Sequence, residues 1–142
     1  MDEPIILLVE DDLNNAALTI MALKEARLDN KVVVAADGMQ ALELLLAPSC
    51  PLSPVLVLLD LAMPRMDGWE TLRRMRRDGR TAALPVIVVT SSEQEEVIER
   101  LRALGADGYI HKSVSFARFT ADIREAVLPL LKTKEGAPRL GP

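Results

Sequence analysis

Five short apolar runs punctuate the chain: Ile5 to Val9, Val32 to Ala35, Val55 to Leu59, Val86 to Val89, and Tyr109 with Ile110. The first four are continuous rather than alternating and are rich in Val, Ile and Leu. Strands covered on both faces read this way, as in a parallel sheet clothed by helices. The stretches between them carry the helical period instead. Leu13, Ala16, Ala17, Ile20 and Leu23 share one face, as do Trp69, Leu72 and Met75, and Val97, Leu101 and Leu104. Phe116, Phe119, Ile123, Val127 and Leu130 form the clearest stripe. Helix starts are marked by Asp12, by Asp37 three residues before Gln40, by Asp67 before Glu70, and by Ser92 before Glu95. Each is a short polar side chain able to cap exposed N–H groups. Gly105 stands where the fourth helix should end. Five strands alternating with five helices predict an α/β fold, an open, doubly wound, five-stranded parallel sheet with right-handed crossovers. We expect this domain to fill residues 1–132 and residues 133–142 to be a flexible C-terminal tail.

Length and composition narrow the class. A chain of 142 residues suffices for one full core. No apolar run approaches the length that crosses a bilayer, and the start, Met1-Asp2-Glu3-Pro4, carries no secretory signal. The single cysteine, Cys50, cannot close an internal disulfide, so a cytoplasmic protein with no membrane attachment is expected. A net charge of −4 argues against nucleic acid as the main partner. The arginines at 73, 74, 76 and 77 read first as a solvated face or partner contact, and second as a phosphate binder.

In doubly wound sheets the site lies beyond the carboxyl ends of the strands. The first strand delivers Glu10, Asp11 and Asp12 there; the third delivers Asp60; the fourth Thr90, Ser91 and Ser92; the fifth His111 and Lys112. Several carboxylates at one edge repel unless a cation joins them. Mg2+ (or Mn2+) suits such a set of hard oxygen donors in an open site. Asp60 could then attack phosphorus and become an acyl phosphate, with Lys112 and the Thr90 hydroxyl neutralising the phosphoryl oxygens. Asp12 reads as a helix cap at least as well as a ligand, and His111 as a half-exposed strand residue.

The segments Val9 to Asp12 (VEDD), Leu58 to Gly68 (LLDLAMPRMDG), Val88 to Ser92 (VVTSS) and Gly108 to Lys112 (GYIHK) together resemble the response-regulator receiver domain of two-component signalling. The resemblance spans roughly Ile5 to Leu131 and implies a (βα)5 flavodoxin-like receiver topology. It implies that Asp60 is the phosphoacceptor for a sensor histidine kinase and that Asp11 binds the metal directly. Glu10 would act through water, and the Ala62 carbonyl would be a further ligand. Thr90 and Lys112 would contact the phosphoryl group, and Tyr109 would be the switch aromatic. Such a chain is a switch that assists its own Mg-dependent phosphorylation and dephosphorylation rather than an enzyme with a separate substrate.

Many receivers carry proline after the lysine, where this chain has Ser113. That pair, and the loop bearing Pro48, Pro51 and Pro54, also resemble the single-domain regulators paired with cyanobacterial and bacterial phytochrome kinases. With no effector domain, the signal would leave through residues 93–131, toward a partner or in a homodimer. The alternative is a relay intermediate passing its phosphoryl group to a histidine phosphotransfer protein. A haloacid-dehalogenase-type phosphatase would need an aspartate where Ala62 stands. A flavin-type cofactor binder would need a Ser/Gly-rich first loop in place of Glu10-Asp11-Asp12. A scaffold that had lost phosphorylation would not need Asp60, Thr90 and Lys112 together.

Overall fold

The structure is a computed structural model that describes residues 4–63, 66–112 and 115–140, with side chains as far as residue 131. Strands β1 (Ile5–Val9), β2 (Lys31–Ala35), β3 (Leu56–Asp60), β4 (Val86–Thr90) and β5 (Gly108–His111) alternate with helices. These are α1 (Leu13–Glu25), α2 (Gly38–Leu45), α3 (Gly68–Arg77), α4 (Glu95–Ala103) and α5 (Phe116–Leu140). All pairings are parallel, in the order β2-β1-β3-β4-β5. That is the doubly wound order in which the chain reverses direction between β1 and β3, opening a crevice at their carboxyl ends. The expected sheet is therefore the observed one. The tail expected at 133–142 and the Lys112–Ser113 junction involve side chains or residues outside those described, as does Pro64.

Strand alternation sorts the core into two layers. Leu8, Leu58, Ile87 and Ile110 pack against α1 and α5 with Phe119, Ile123 and Val127. Val9, Leu59 and Val88 pack against α2, α3 and α4 with Ala41, Leu72 and Leu101. Every residue of β3 and β4 is buried, which is why both read as unbroken apolar runs.

Caps set three helix starts as expected. Asp12 accepts from the N–H groups of Asn14 and Asn15, Asp37 from Gln40, and Asp67 from Glu70. The fourth differs. Helix α4 follows Gln94, without a side-chain cap, because Ser92 Oγ has taken the Gln94 N–H at 3.2 Å, upstream of the helix. The face of α1 also differs from the expected stripe. Leu13 is 82% exposed and Ala17 faces solvent, while Thr19 and Ala22 are buried. Thr19 tolerates burial because its hydroxyl donates to the Asn15 carbonyl at 3.0 Å. Phe116 likewise stands 40% exposed at the start of α5.

The arginine cluster divides by role. Arg73 and Arg74 pair with Glu70 on the surface of α3. Arg76 instead turns inward. Its Nε donates to the Gly105 carbonyl at 3.0 Å, and its Nη1 to the Leu84 and Ala82 carbonyls at 2.8 and 3.2 Å. Its Nη2 reaches Asp107 Oδ2 at 3.2 Å, and the same oxygen accepts the Val86 N–H at 2.8 Å. One guanidinium thus ties α3 to the loops that enter β4 and β5. Arg76→Ala would strand several carbonyls and leave Asp107 without its cationic partner. We expect it to destabilise the fold by about 3 kcal/mol, read from urea unfolding. Arg77→Ala, one residue on and exposed, should change stability by less than about 0.5 kcal/mol; equal effects would refute the division.

Candidate functional site

The carboxyl ends of four strands place their polar residues at one edge. The backbone N–H of Glu10 extends the β1–β2 ladder to the Ala35 carbonyl at 3.0 Å, so the side chain leaves a fixed point. Asp60 still belongs to β3, in register with Val89. The Lys112 N–H donates to the Thr90 carbonyl at 2.8 Å. Alternation then assigns faces. Glu10, Asp60 and Lys112 follow Leu8, Leu58 and Ile110 toward α1 and α5, whereas Thr90 follows Val88 toward the α4 side.

The distances agree with that assignment. Lys112 Nζ lies 3.1 Å from Asp60 Oδ1 and 3.9 Å from Glu10 Oε1. Carboxylate oxygens of Glu10, Asp11 and Asp60 come within 4.8 Å of one another. Glu10 and Asp60 are buried and Asp11 is exposed, so the cluster has a closed floor and an open mouth. Asp12 stands apart because its Oδ1 caps α1 at 2.8 and 3.0 Å. The loop after β3 folds back, with the Ala62 N–H donating to Asp60 Oδ1 at 3.3 Å. The Thr90 hydroxyl oxygen accepts the Ser92 N–H at 3.0 Å, and among the described residues its own proton has no acceptor. Tyr109 is 40% exposed beside a groove of about 600 Å3 that Glu93, Ile98, Arg102 and Asp122 also line. That groove lies on the α4–β5–α5 side and not at the carboxylates.

Two buried carboxylates share one ammonium, and the charge imbalance falls on Glu10. Burial, then a hydrogen bond to Asp60 and repulsion from it, push the Glu10 carboxyl from 4.5 up to about 7; Lys112 offsets part of this. A carboxyl raised on folding supports the fold at low pH, and that support is lost as the pH climbs through about 7. The metal-free protein should therefore be less stable near pH 8 than near pH 5, by on the order of 2 kcal/mol. Thermal melts in chelator would show it. Glu10→Gln should flatten the slope, and an unchanged slope in that variant would assign the effect elsewhere.

Two contributors escaped sequence reasoning. Gly68 packs against the backbone of Asp60 and Leu61, and Ser92 reaches Thr90 through its backbone N–H. Gly68 had a signal, as a glycine just inside a helix start after a capping aspartate. The Ser92 contact had none, since a backbone donor is common to every residue except proline.

A sheet of this order, with acidic groups at the β1 and β3 ends, a hydroxyl at β4 and a lysine after β5, defines a phosphoacceptor-switch class of α/β domain. The chain belongs to the response regulator receiver domain family, whose pattern it matches over residues 6–124. Receiver domains of this family are phosphoacceptor switches. Among solved structures it is similar to the phosphorylated cyanobacterial phytochrome response regulator RcpA, with a TM-score of 0.80 and 30% identity over 93% of this chain and 96% of that one. It is similar to the bacteriophytochrome response regulator AtBRR, with a TM-score of 0.74 and 35% identity over 92% and 94%. A manganese-bound form of response regulator Rcp1 aligns at 0.75 with 26% identity over 92% of each chain. Curated Rcp1 of Synechocystis is 32% identical over 113 residues, covering 77% of this chain and 76% of that protein. Curated relatives vary in length: the chain spans 81% of one, and 48% and 50% of two transcriptional regulators. No helix among the described residues is long and apolar enough to cross a membrane.

Proposed function

We propose that Asp60 accepts a phosphoryl group from a sensor histidine kinase and that the chain signals through the resulting change of its surface. The observation that carries this reading is the ammonium of Lys112 at 3.1 Å from Asp60 Oδ1, inside a cluster of three carboxylates. The donor set fits a small divalent cation: hard oxygens only, within 4.8 Å, with excess negative charge and an open side. Asp11, Asp60 and the Ala62 carbonyl would hold Mg2+ or Mn2+, with Glu10 acting through water. When bound, the ion supplies charge neutralisation for the carboxylates and the phosphoryl oxygens.

The residues of the chain do the rest. A carboxylate oxygen of Asp60 forms the new O–P bond as the P–N bond of the donor phosphohistidine breaks, and the departing imidazole takes up a proton. Lys112 faces one phosphoryl oxygen, and Thr90 donates its free hydroxyl proton to another. Drawing Thr90 inward opens space on its face of the sheet, where Tyr109 also lies, so the change is read on the α4–β5–α5 side. The likeness to RcpA and AtBRR supports a phytochrome-type kinase as the donor.

Acetyl phosphate with Mg2+, followed by intact mass, tests the reading. One phosphoryl group should add, should require the cation, and should leave on hydroxylamine treatment as an acyl phosphate does. Continuous phosphate release at enzyme rates, or addition without a divalent ion, would overturn it.

A further inference from the structure

His111 has no part in the chemistry above, yet it closes the resting geometry of the loop that carries Thr90. Thr90 and His111 are register partners across β4 and β5. The Thr90 carbonyl is held by the Lys112 N–H at 2.8 Å, the last bond of the ladder. The next carbonyl, of Ser91, lies 3.0 Å from His111 Nε2. Two consecutive carbonyls leaving β4 are thus gripped by two consecutive residues leaving β5. The first grip is backbone and available to almost any residue; the second depends on this side chain. A carbonyl only accepts, so the ring must donate, and its proton must sit on Nε2. Beyond Ser91 the chain turns at once, with the Ser92 N–H on Thr90 Oγ1 at 3.0 Å.

We infer that His111 is a positioning residue: by holding the Ser91 carbonyl it fixes where the Thr90 hydroxyl stands relative to Asp60. This rests on the reading of Thr90 as a phosphoryl contact. The alternation that puts Thr90, Tyr109 and His111 on one face makes the grip possible; a residue at 110 or 112 would point away from Ser91. Without the imidazole, the hydrogen bonds left to residues 91–94 among the described residues are all local: the Ser92 N–H on Thr90 Oγ1, the Gln94 N–H on Ser92 Oγ, and the Gln94 carbonyl in the first turn of α4. Thr90 then samples positions from which its hydroxyl cannot meet the phosphoryl oxygen.

Three measurements test it. His111 is the only histidine of the chain, so its ring nitrogens give one unambiguous set of 15N signals. The neutral ring should be the Nε2–H tautomer; a dominant Nδ1–H tautomer would overturn the grip. His111→Ala should slow phosphorylation by acetyl phosphate about fivefold, the loss of one ordinary hydrogen bond, and should speed amide exchange at Ser92. His111→Gln, which keeps an N–H donor at similar reach, should recover most of both. Equal behaviour of the Ala and Gln variants, or a rate that neither changes, would overturn the positioning role. A wild-type chain that takes no phosphoryl group would instead remove the reading on which the role depends, and the two failures are told apart by the wild-type mass alone.

Discussion

Asp60→Asn should abolish phosphorylation by acetyl phosphate and yet make the metal-free protein more stable. Both effects follow from the same three groups. Without a cation, Glu10 and Asp60 repel across a buried floor, and one lysine at 3.1 and 3.9 Å cannot balance two carboxylates. The amide keeps the shape of Asp60 and its capacity to accept the Ala62 N–H, but removes one of the two charges. Relief of the repulsion should raise unfolding free energy by about 1–2 kcal/mol in chelator near pH 8, where the Glu10 carboxyl is also ionised. The same change removes the proposed nucleophile and one of the three clustered carboxylates, so Mg2+ should bind at least about tenfold more weakly. Lys112→Ala should move stability the other way. It strands two buried carboxylates and should cost about 2–3 kcal/mol, while also slowing phosphorylation. An aspartate with only a structural role would destabilise when replaced. If Asp60→Asn lowers stability in chelator near pH 8, or still gains a phosphoryl group, the site is not organised as proposed.

Opposite signs for stability and chemistry are what a poised site should give. On the proposed function, the cluster is held slightly against its own electrostatics so that a cation, and later a phosphoryl group, would find charge to act on. The raised Glu10 carboxyl is the same imbalance seen by titration. Mg2+ should therefore do two things in a melt: raise the midpoint, and erase the fall in stability toward alkaline pH.

What was legible in the sequence follows the physics of each element. β1, β3 and β4 are covered on both faces, so their apolar runs are continuous and their ends were nearly readable. β3 runs from Leu56 to Asp60, one residue later than its apolar run, because Asp60 still pairs with Val89 although its side chain is charged. The gathering of Glu10, Asp11, Asp60, Thr90 and Lys112 at one edge was legible because parallel strands must all end there. What escaped was satisfied polarity. Thr19 is buried because its hydroxyl returns to its own helix, and hydropathy cannot see that. Arg76 is turned inward because five surrounding acceptors welcome it; one of them, the Gly105 carbonyl, lies 29 residues away in sequence. Ser92 carries a capping signature but spends its hydroxyl two residues on, so α4 starts without it. In each case a short-range or long-range hydrogen bond overrides a pattern that would hold for the isolated segment.

Gly68→Ala should be among the most damaging single-methyl changes to the site. Gly68 opens α3, and its N–H donates to the Leu61 carbonyl at 2.9 Å, closing the loop that leaves β3. An added Cβ would stand 2.5 Å from the Asp60 carbonyl oxygen and 2.6 Å from Leu61 Cα. Both are backbone atoms, so no rotamer relieves the clash. Either α3 draws away from the sheet or the end of β3 shifts and takes Asp60 with it. We expect a loss of about 2–4 kcal/mol in urea unfolding, and weaker Mg2+ binding in whatever remains folded. Two other glycines grade the argument. At Gly38 the nearest obstacle is the Thr71 hydroxyl, a side chain already bonded to the Asp67 carbonyl at 2.8 Å, so Gly38→Ala should cost less than Gly68→Ala but still be measurable. Gly79 meets nothing within 4 Å, so Gly79→Ala should be neutral or slightly stabilising, by about 0.5 kcal/mol. The order Gly68 worst, Gly38 intermediate, Gly79 harmless is the expected result. A Gly68→Ala protein with normal stability and normal Mg2+ affinity would mean that the β3–α3 junction can yield, and that Asp60 is held in place by something other than the backbone packed beneath it.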